Sequence, residues 1–353
     1  MMKICKTLAI LLALTLALSA CGAVRGGGDG PAASAGGGSE EVREPQEALP
    51  DDAPDGRPPL RVGALKGPTA MGLVMMMGDG DASDGPWEFD LAGSADELTP
   101  KLIKGDLDIA CVPANLAAVL YNKTEGQIAV LAVNTLGVLY IVEDGGETIG
   151  SMADLEGRTI AAAGKGSTPE HSLRYLLEQN GLDPDEDVTI DWKSEHAECV
   201  AALAAGTADI ALLPQPFVTV AQAKLEGLRV ALDLTAEWDA LDNGSAMITG
   251  VAVARRDLVE QQPELVDRFL EEYAASVDRV NADPAAAAER IAEHGILESA
   301  AVAEAALPHC NIVCLTGQEM FEKLSGYLQV LSGAAPEAVG GALPGDGFYY
   351  GAS

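Results

Sequence analysis

Two stretches of this chain repeat one plan, and the repeat limits the folds open to it. Thr159-Ile160-Ala161-Ala162-Ala163 is an apolar run of strand length, and Gly164-Lys165-Gly166-Ser167-Thr168 follows it, where glycine permits a tight turn. A helix is expected next, ending at Gly181. Thr168 caps it with Pro169 at its first position, or Ser167 forms a capping box with Glu170; Leu173, Leu176 and Leu177 make its apolar stripe. The other copy is Val62-Gly63-Ala64-Leu65, then Lys66-Gly67-Pro68-Thr69, with a hydroxyl residue where a helix would begin. Each copy has a matching partner at nearly equal distance: Gly105 through Ile109 to Pro113, and Gly206 through Ile210 to Pro214. The expectation is one α/β plan used twice, with strand ends and helix starts of two lobes facing each other. Ligands of open α/β sheets bind at those ends, and free first-turn N–H groups there receive an anionic or strongly accepting group.

The N-terminus reads as processing signal rather than fold. Lys3 and Lys6 precede an apolar run from Leu8 to Leu18, which is shorter than the roughly 20 residues a membrane span needs. Leu18-Ser19-Ala20-Cys21 resembles the lipobox of bacterial lipoproteins, which implies a signal peptide over 1–20 and a lipid-bearing Cys21. Residues 21–59 are then a lipidated cysteine and a tether, because their Gly, Ala, Ser, Pro, Glu and Asp cannot bury enough surface to offset ordering entropy. A plain signal peptide is the competing reading.

Composition removes some classes of function. The net charge is −32 with only 22 Lys and Arg, so a nucleic-acid partner is not expected. Aromatic residues make up 4%, too few for a surface that stacks sugars or bases. Of six cysteines, Cys5 leaves with the signal and Cys21 carries lipid; Cys111 and Cys199 fall on apolar stripes, and pairing of Cys310 with Cys314 stays open. His196 near Cys199 and His309 beside Cys310 lack a second pair at ligand spacing, so no metal or cofactor is expected.

The remaining chain divides by its crossings. Val138 to Val142 and Ile248 to Ala254 are read as the two crossings of a hinge, giving a first lobe over 60–137, a second over 138–247, and a return to the first with C-terminal helices over 248–353. Helices are expected over 97–105, 115–122, 218–226, 263–281, 284–294 and 318–331, and a connection over 238–245.

From about Leu60 to about Leu297 the chain resembles the solute-binding proteins of ABC importers, in the branch for aliphatic sulfonates, taurine, nitrate and thiamine-pyrimidine precursors. Leu155-Glu156-Gly157-Arg158-Thr159-Ile160 leading to Gly164-Lys165-Gly166-Ser167 carries it, with Ala201 to Ile210 and with Ala254-Arg255-Arg256-Asp257 ahead of Pro263 to Leu270. The resemblance implies a type II periplasmic-binding-protein fold, two α/β lobes joined by a two-strand hinge, closing on a small solute. It also implies an ABC permease and its ATPase as partners, a monomer, and a place on the outer face of the cytoplasmic membrane, held there by lipid alone. Where that branch often has an aromatic or a Trp-Asp pair, Pro214-Gln215-Pro216-Phe217 stands here, so Gln215 replaces a charged or stacking group. The candidate ligand residues are Lys66, Gly67, Thr69, Asn115 and Asn134 on one side, Lys165, Gly166, Ser167, Thr168 and Gln215 on the other, and Thr249 on the return crossing. These donors suit an acceptor-rich or anionic organic solute. Two other classes compete: a lipid-anchored sensor or protein-binding surface protein, and an enzyme resembling thiamine-pyrimidine synthases on the same fold. No Gly-x-Ser-x-Gly elbow, Walker loop or clustered Cys and His supports the enzyme.

Overall fold

The computed structural model describes residues 58–78 and 86–352. The leader expected over 1–20, Cys21 and the tether up to residue 57 lie outside the described residues. Those described fall in one compact unit.

The chain first builds β1 (Leu60–Leu65), α1 (Pro68–Met71), β2 (Trp87–Ala92), α2 (Ala95–Lys104), β3 (Ile109–Pro113), α3 (Ala114–Lys123) and β4 (Ile128–Leu136). It then builds β5 (Leu139–Glu143), β6 (Thr159–Ala163), α4 (Thr168–Gln179), β7 (Thr189–Lys193), α5 (His196–Ala204), β8 (Ile210–Pro214), α6 (Phe217–Lys224), β9 (Arg229–Asp233) and α7 (Leu234–Asp239). Last come β10 (Ile248–Arg255), α8 (Arg256–Gln261), α9 (Pro263–Ala282), α10 (Pro284–Glu293), α11 (Ala300–Ala306), β11 (Ile312–Leu315) and α12 (Gly317–Ala334).

Two mixed sheets result, and they follow one pattern. The first has the order β11-β4-β10-β3-β1-β2, the second β7-β6-β8-β5-β9. In the first, β1 runs parallel to β2 and β3, while β10 lies antiparallel between β3 and β4. In the second, β6 runs parallel to β7 and β8, while β5 lies antiparallel between β8 and β9. Parallel neighbours need a crossover helix, which α2, α4 and α5 supply. This is the two-lobed α/β arrangement of periplasmic-binding-protein folds.

The apolar runs read as crossings, 138–142 and 248–254, are β5 and β10, each the antiparallel strand inside one sheet. The chain changes sheets in the links just before them, at Gly137–Val138 and through residues 240–247. An apolar strand must pair its backbone N–H and C=O groups, so the sheet takes the apolar run and leaves only a short link outside. The two links press together at a residue without a side chain: a Cβ on Gly137 would lie 2.1 Å from Thr235 Oγ1 and 3.0 Å from Met247 Cε. Asn311 fixes this joint, its Nδ2 donating to Gly137 O at 2.5 Å and its O accepting from the Leu136 N–H at 3.1 Å.

One apolar core runs through both sheets. It joins Val112, Val130 and Val251 of the first to Ile141, Ile160 and Leu212 of the second, under α4 and α12. On the far faces the cores are separate. Met71, Phe269 and Tyr273 fill one beneath α1 and α9, and Cys199, Val218 and Ala221 the other beneath α5 and α6. Trp238 ties the shared core together. It is fully buried, its ring 4.8 Å from that of Tyr175 on α4 and 5.4 Å from that of Tyr327 on α12, with its indole N–H donating to Ser245 Oγ at 3.1 Å. The connection expected over 238–245 thus begins too early, because Trp238 belongs to α7, whose first N–H groups are capped by Asp233 through Thr235 N at 2.9 Å. The strands β2, β7 and β11 also lie in segments the periodicity left unassigned.

Candidate functional site

The ends of β1, β3 and β4, the start of β10, and the loops after β6 and β8 lie on one edge of each sheet, and these edges meet where Asn115 bonds Thr168 and Gly166 and where Gly93 lies beside Glu195. Every sequence-predicted ligand residue falls on these segments, but they divide into groups with different surroundings.

In the first glycine loop Gly67 adopts φ +140° and ψ −157°, a backbone that only glycine holds without strain. Its carbonyl accepts from the N–H groups of Ala70 and Met71. The hydroxyl of buried Thr69 turns back to Leu65 O at 2.9 Å, and Lys66 is exposed. Here α1 is a single turn, so its dipole is small, and the hydroxyl expected to face a ligand is already engaged.

The second loop is built around a carboxylate of its own. Gly164 and Gly166 have φ +85° and +74°. Ser167 is the N-cap residue of α4, but its Oγ donates to Gly164 O at 2.7 Å and makes no capping bond. The Gly166 N–H donates to Glu170 Oε2 at 2.6 Å. Glu170 thus closes on the loop one residue further out than a capping box would place it, putting negative charge where the helix start would attract an anion. Lys165 beside it is exposed.

Asn115 and Thr168 meet across the two halves. Asn115 is fully buried; its Oδ1 accepts from Thr168 Oγ1 at 3.2 Å, and its Nδ2 donates to Gly166 O at 3.4 Å and to Ala338 O at 3.1 Å. Protein partners occupy both ends of this amide.

Asn134 differs. It is fully buried and its Oδ1 accepts from Thr135 Oγ1 at 3.0 Å, while its Nδ2 has no hydrogen-bond partner. A buried amide left unmatched costs on the order of 1–3 kcal/mol. Gly250 on β10 makes room for it, since a Cβ there would lie 2.5 Å from Asn134 Oδ1 and 2.8 Å from Thr69 Cγ2. The neighbouring Thr249 Oγ1 is also buried without a partner. On the neighbouring β3, burial pushes the Cys111 thiol up to about 12.

The remaining predicted residue opens a crevice. Gln215, 5% exposed, has its Oε1 fixed by Thr219, whose hydroxyl donates at 2.9 Å and whose N–H donates at 3.3 Å. It lines a space of about 280 Å³ with Tyr140, Thr219 and Gln222 from the second sheet and its helices, and with Ala305 and His309 from the segment packed on the first. Burial, and Asp233 behind it, push the Tyr140 hydroxyl up to about 12. Sequence reasoning missed Tyr140, Thr219, Gln222 and His309. Two signals were present: Tyr140 is the one polar-tipped residue in its apolar run, and Thr219 and Gln222 stand one and two helical turns beyond Gln215. A larger groove of about 680 Å³ lies elsewhere, between the far end of α4, residues 243–245 and α12.

Cys111, Cys199, Cys310 and Cys314 are all free thiols, so Cys310 and Cys314 are unpaired in this structure. Cys310 packs against Met71 Sδ at 3.9 Å. Among the described residues no three His, Cys, Asp or Glu side chains converge as metal ligands, and no helix is long and apolar enough to cross a membrane.

Comparison with known proteins agrees with this architecture. The crystal structure of an ABC transporter from Parabacteroides distasonis superposes with a TM-score of 0.69 at 25% identity, over 83% of this chain and 99% of that one. The alkanesulfonate-binding protein SsuA of Xanthomonas axonopodis pv. citri, bound to MOPS, gives a TM-score of 0.62 at 16% identity, over 82% and 95%. The aliphatic sulphonate binding protein SsuA of Escherichia coli gives 0.62 at 17%, over 81% and 96%. No curated protein sequence matches this one. The family model described as ABC transporter, phosphonate, periplasmic substrate-binding protein matches residues 81–296, more than half of the sequence. With two sheets of one pattern facing each other across a crevice, the chain belongs to that family, the periplasmic solute-binding components of ABC import systems.

Proposed function

We propose that this protein captures a small, acceptor-rich organic solute between its two lobes, over 60–137 with 248–353 and over 138–247, and delivers it to an ABC permease. Cys21 holds it by lipid to the outer face of the cytoplasmic membrane, and residues 22–59 are its tether. The protein acts by binding and release rather than by catalysis.

One observation carries this reading: the crevice at Gln215 takes its walls from both halves of the molecule. A solute touching both walls gains contacts only when they are close together, and that differential affinity shifts the population toward the closed form. The walls mix the amide, hydroxyl and imidazole groups of Gln215, Gln222, Thr219, Tyr140 and His309 with apolar Val230 and Ala305, and no Lys or Arg is among them. The buried Asn134 Nδ2 and Thr249 Oγ1 add unmatched polar groups at the same sheet edges. These groups favour a solute rich in acceptors and low in charge. A phosphonate or an alkanesulfonate, the ligands named for the matched family and its structural relatives, is the direct comparison.

Thermal-shift screening of the purified protein against phosphonates, sulfonates, nitrate, amino acids and vitamins, with calorimetry on the hits, tests the proposal. Gln215→Ala is expected to weaken the best hit at least tenfold with the fold intact. Unchanged affinity in that variant would remove the crevice from the site.

A further inference from the structure

Asn115 links three parts of the molecule that are far apart in sequence. It stands in the first turn of α3, on the first sheet. Its Oδ1 accepts from Thr168 at the start of α4, on the second sheet, and its Nδ2 is shared between Gly166 O in the second glycine loop and Ala338 O near the C-terminus. Both side chains are fully buried, so these bonds form away from competing water.

The segment bearing Ala338 is a strap seated on α3. Asn122, two turns after Asn115 on the same helix, donates through Nδ2 to Val339 O and to Ala342 O, both at 2.7 Å. Gly340 lets the strap lie close, having φ +81° and a would-be Cβ 3.0 Å from Val119 Cα. Further along, the Tyr350 N–H donates to Val130 O at 2.9 Å on β4, and Phe348 packs edge-on against Tyr121 at 5.2 Å. Of the two asparagines, Asn122 holds only the strap. Asn115 holds the strap and the loop of the opposite half.

We infer that Asn115 is a positioning residue for solute capture: it fixes the Gly164–Thr168 loop to the first half and couples that loop to the C-terminal strap. Its carboxamide touches no solute. Its geometry matters because the loop borders the cleft, so the strap and the loop hold or release the cleft edge together. The purpose given to this link rests on the capture reading; the link itself does not.

Hydrogen exchange of the purified, solute-free protein tests it. Thr168→Val keeps the shape of a buried residue and removes its bond to Asn115 together with its hydroxyl contact to Tyr327 on α12; Tyr327→Phe, which loses that contact but leaves the Asn115 bond, is expected to leave the strap protected. In Thr168→Val, exchange is expected to rise at least tenfold in residues 164–170 and also in the strap, residues 336–342, which the Thr168 hydroxyl reaches through Asn115. Thr168→Ser keeps the hydroxyl and is expected to behave as the parent. Asn122→Ala is expected to loosen the strap and leave 164–170 protected, and Asn115→Ala to loosen both, with no further rise when combined with Thr168→Val. Faster exchange confined to α4 and its loop in Thr168→Val would overturn the inference, as would strictly additive effects in the double variant. Should Asn115→Ala fail to fold, the Thr168→Val and Thr168→Ser pair still decides. A failed solute screen leaves this result standing, and a negative exchange result leaves the Gln215→Ala measurement untouched.

Discussion

The loops at 66–69 and 164–168 leave equivalent strands, since β1 and β6 each run between two parallel neighbours, yet they lead into very different helices. After Gly67 the helix lasts one turn, and the chain through Val74 and Met77 is then held by other elements: Ser276 Oγ accepts from Met75 N at 3.2 Å, and the Arg290 guanidinium donates to Val74 O at 3.2 Å. After Gly166 the helix runs for twelve residues, and its Leu173, Leu176 and Leu177 lie in the core shared by both sheets. A strand and a glycine turn can be repeated by local sequence. The length of the helix that follows is set by what it can pack against.

The strongest way to break this contrast is to remove the packing. Trp238 joins Tyr175 of α4 to Tyr327 of α12, so Trp238→Ala should cost about 3–5 kcal/mol in urea unfolding and strip exchange protection from α4 before β1. A loss under about 1 kcal/mol would mean that α4 stands by other means. A smaller effect sharpens the comparison at the glycines themselves. A methyl group on Gly67 or on Gly166 meets nothing within 4 Å, so alanine at either tests the backbone alone. Gly67, at φ +140°, lies in a region essentially reserved to glycine, whereas Gly166, at φ +74°, lies where other residues are strained but found. Gly67→Ala should therefore cost about 1–3 kcal/mol and Gly166→Ala about 1 kcal/mol. Equal losses would show that the two turns are conformationally alike.

Acid should separate the two loop-and-helix segments further. Burial holds the His171 imidazole on α4 below its ordinary range, with Glu170 and Glu337 opposing and Arg174 assisting. The matching strand, loop and helix over residues 60–71 contain no histidine. A base whose folded pKa is lowered leaves stability complete above its unfolded pKa of about 6.5, and that stability is lost as pH falls from there through the folded value. Exchange in α4 should rise over that interval while β1 stays protected, and His171→Gln should remove the part specific to α4, leaving that of His196 on α5, which burial lowers to about 4. A uniform rise in both segments would place the acid sensitivity elsewhere.

Most of the architecture was legible in the chain because it rests on patterns that local sequence carries. The apolar runs of β1, β6, β8 and β10 mark buried strands, and the stripe in α4 gives its length. The strands at Trp87–Ala92 and Thr189–Lys193 escaped because they flank the sheets and mix charged with apolar residues. The site was legible by region but not by role. That Asn115 would spend its amide on Thr168, Gly166 and Ala338 depends on a partner 223 residues away, which no local pattern encodes. The sequence allows either a Thr168 cap or a capping box of Ser167 with Glu170; the structure puts Ser167 at the N-cap and sends Glu170 past it to the Gly166 N–H.

That carboxylate gives the smallest effect and the finest test of the difference between the loops. Glu170 meets the Gly166 N–H at 2.6 Å, so the second loop already holds a negative charge at its helix start. Glu170→Ala should cost about 0.3–1 kcal/mol, the usual contribution of an acidic group in a first turn. It should also free the Gly166 amide and leave the positive end of α4 unopposed. Sulfate raises the stability of most proteins through exclusion from their surface, so the informative quantity is the extra stabilisation of the variant over the parent at equal sulfate. A positive excess that saturates, and that is absent when Gly67→Ala is compared with the parent, would show that the second loop has latent anion affinity masked by its own side chain. Equal stabilisation of parent and variant would mean that the loop amide is not a receptor even when vacant. Solute recognition would then rest on the amide and hydroxyl groups of the Gln215 crevice, without help from the helix start.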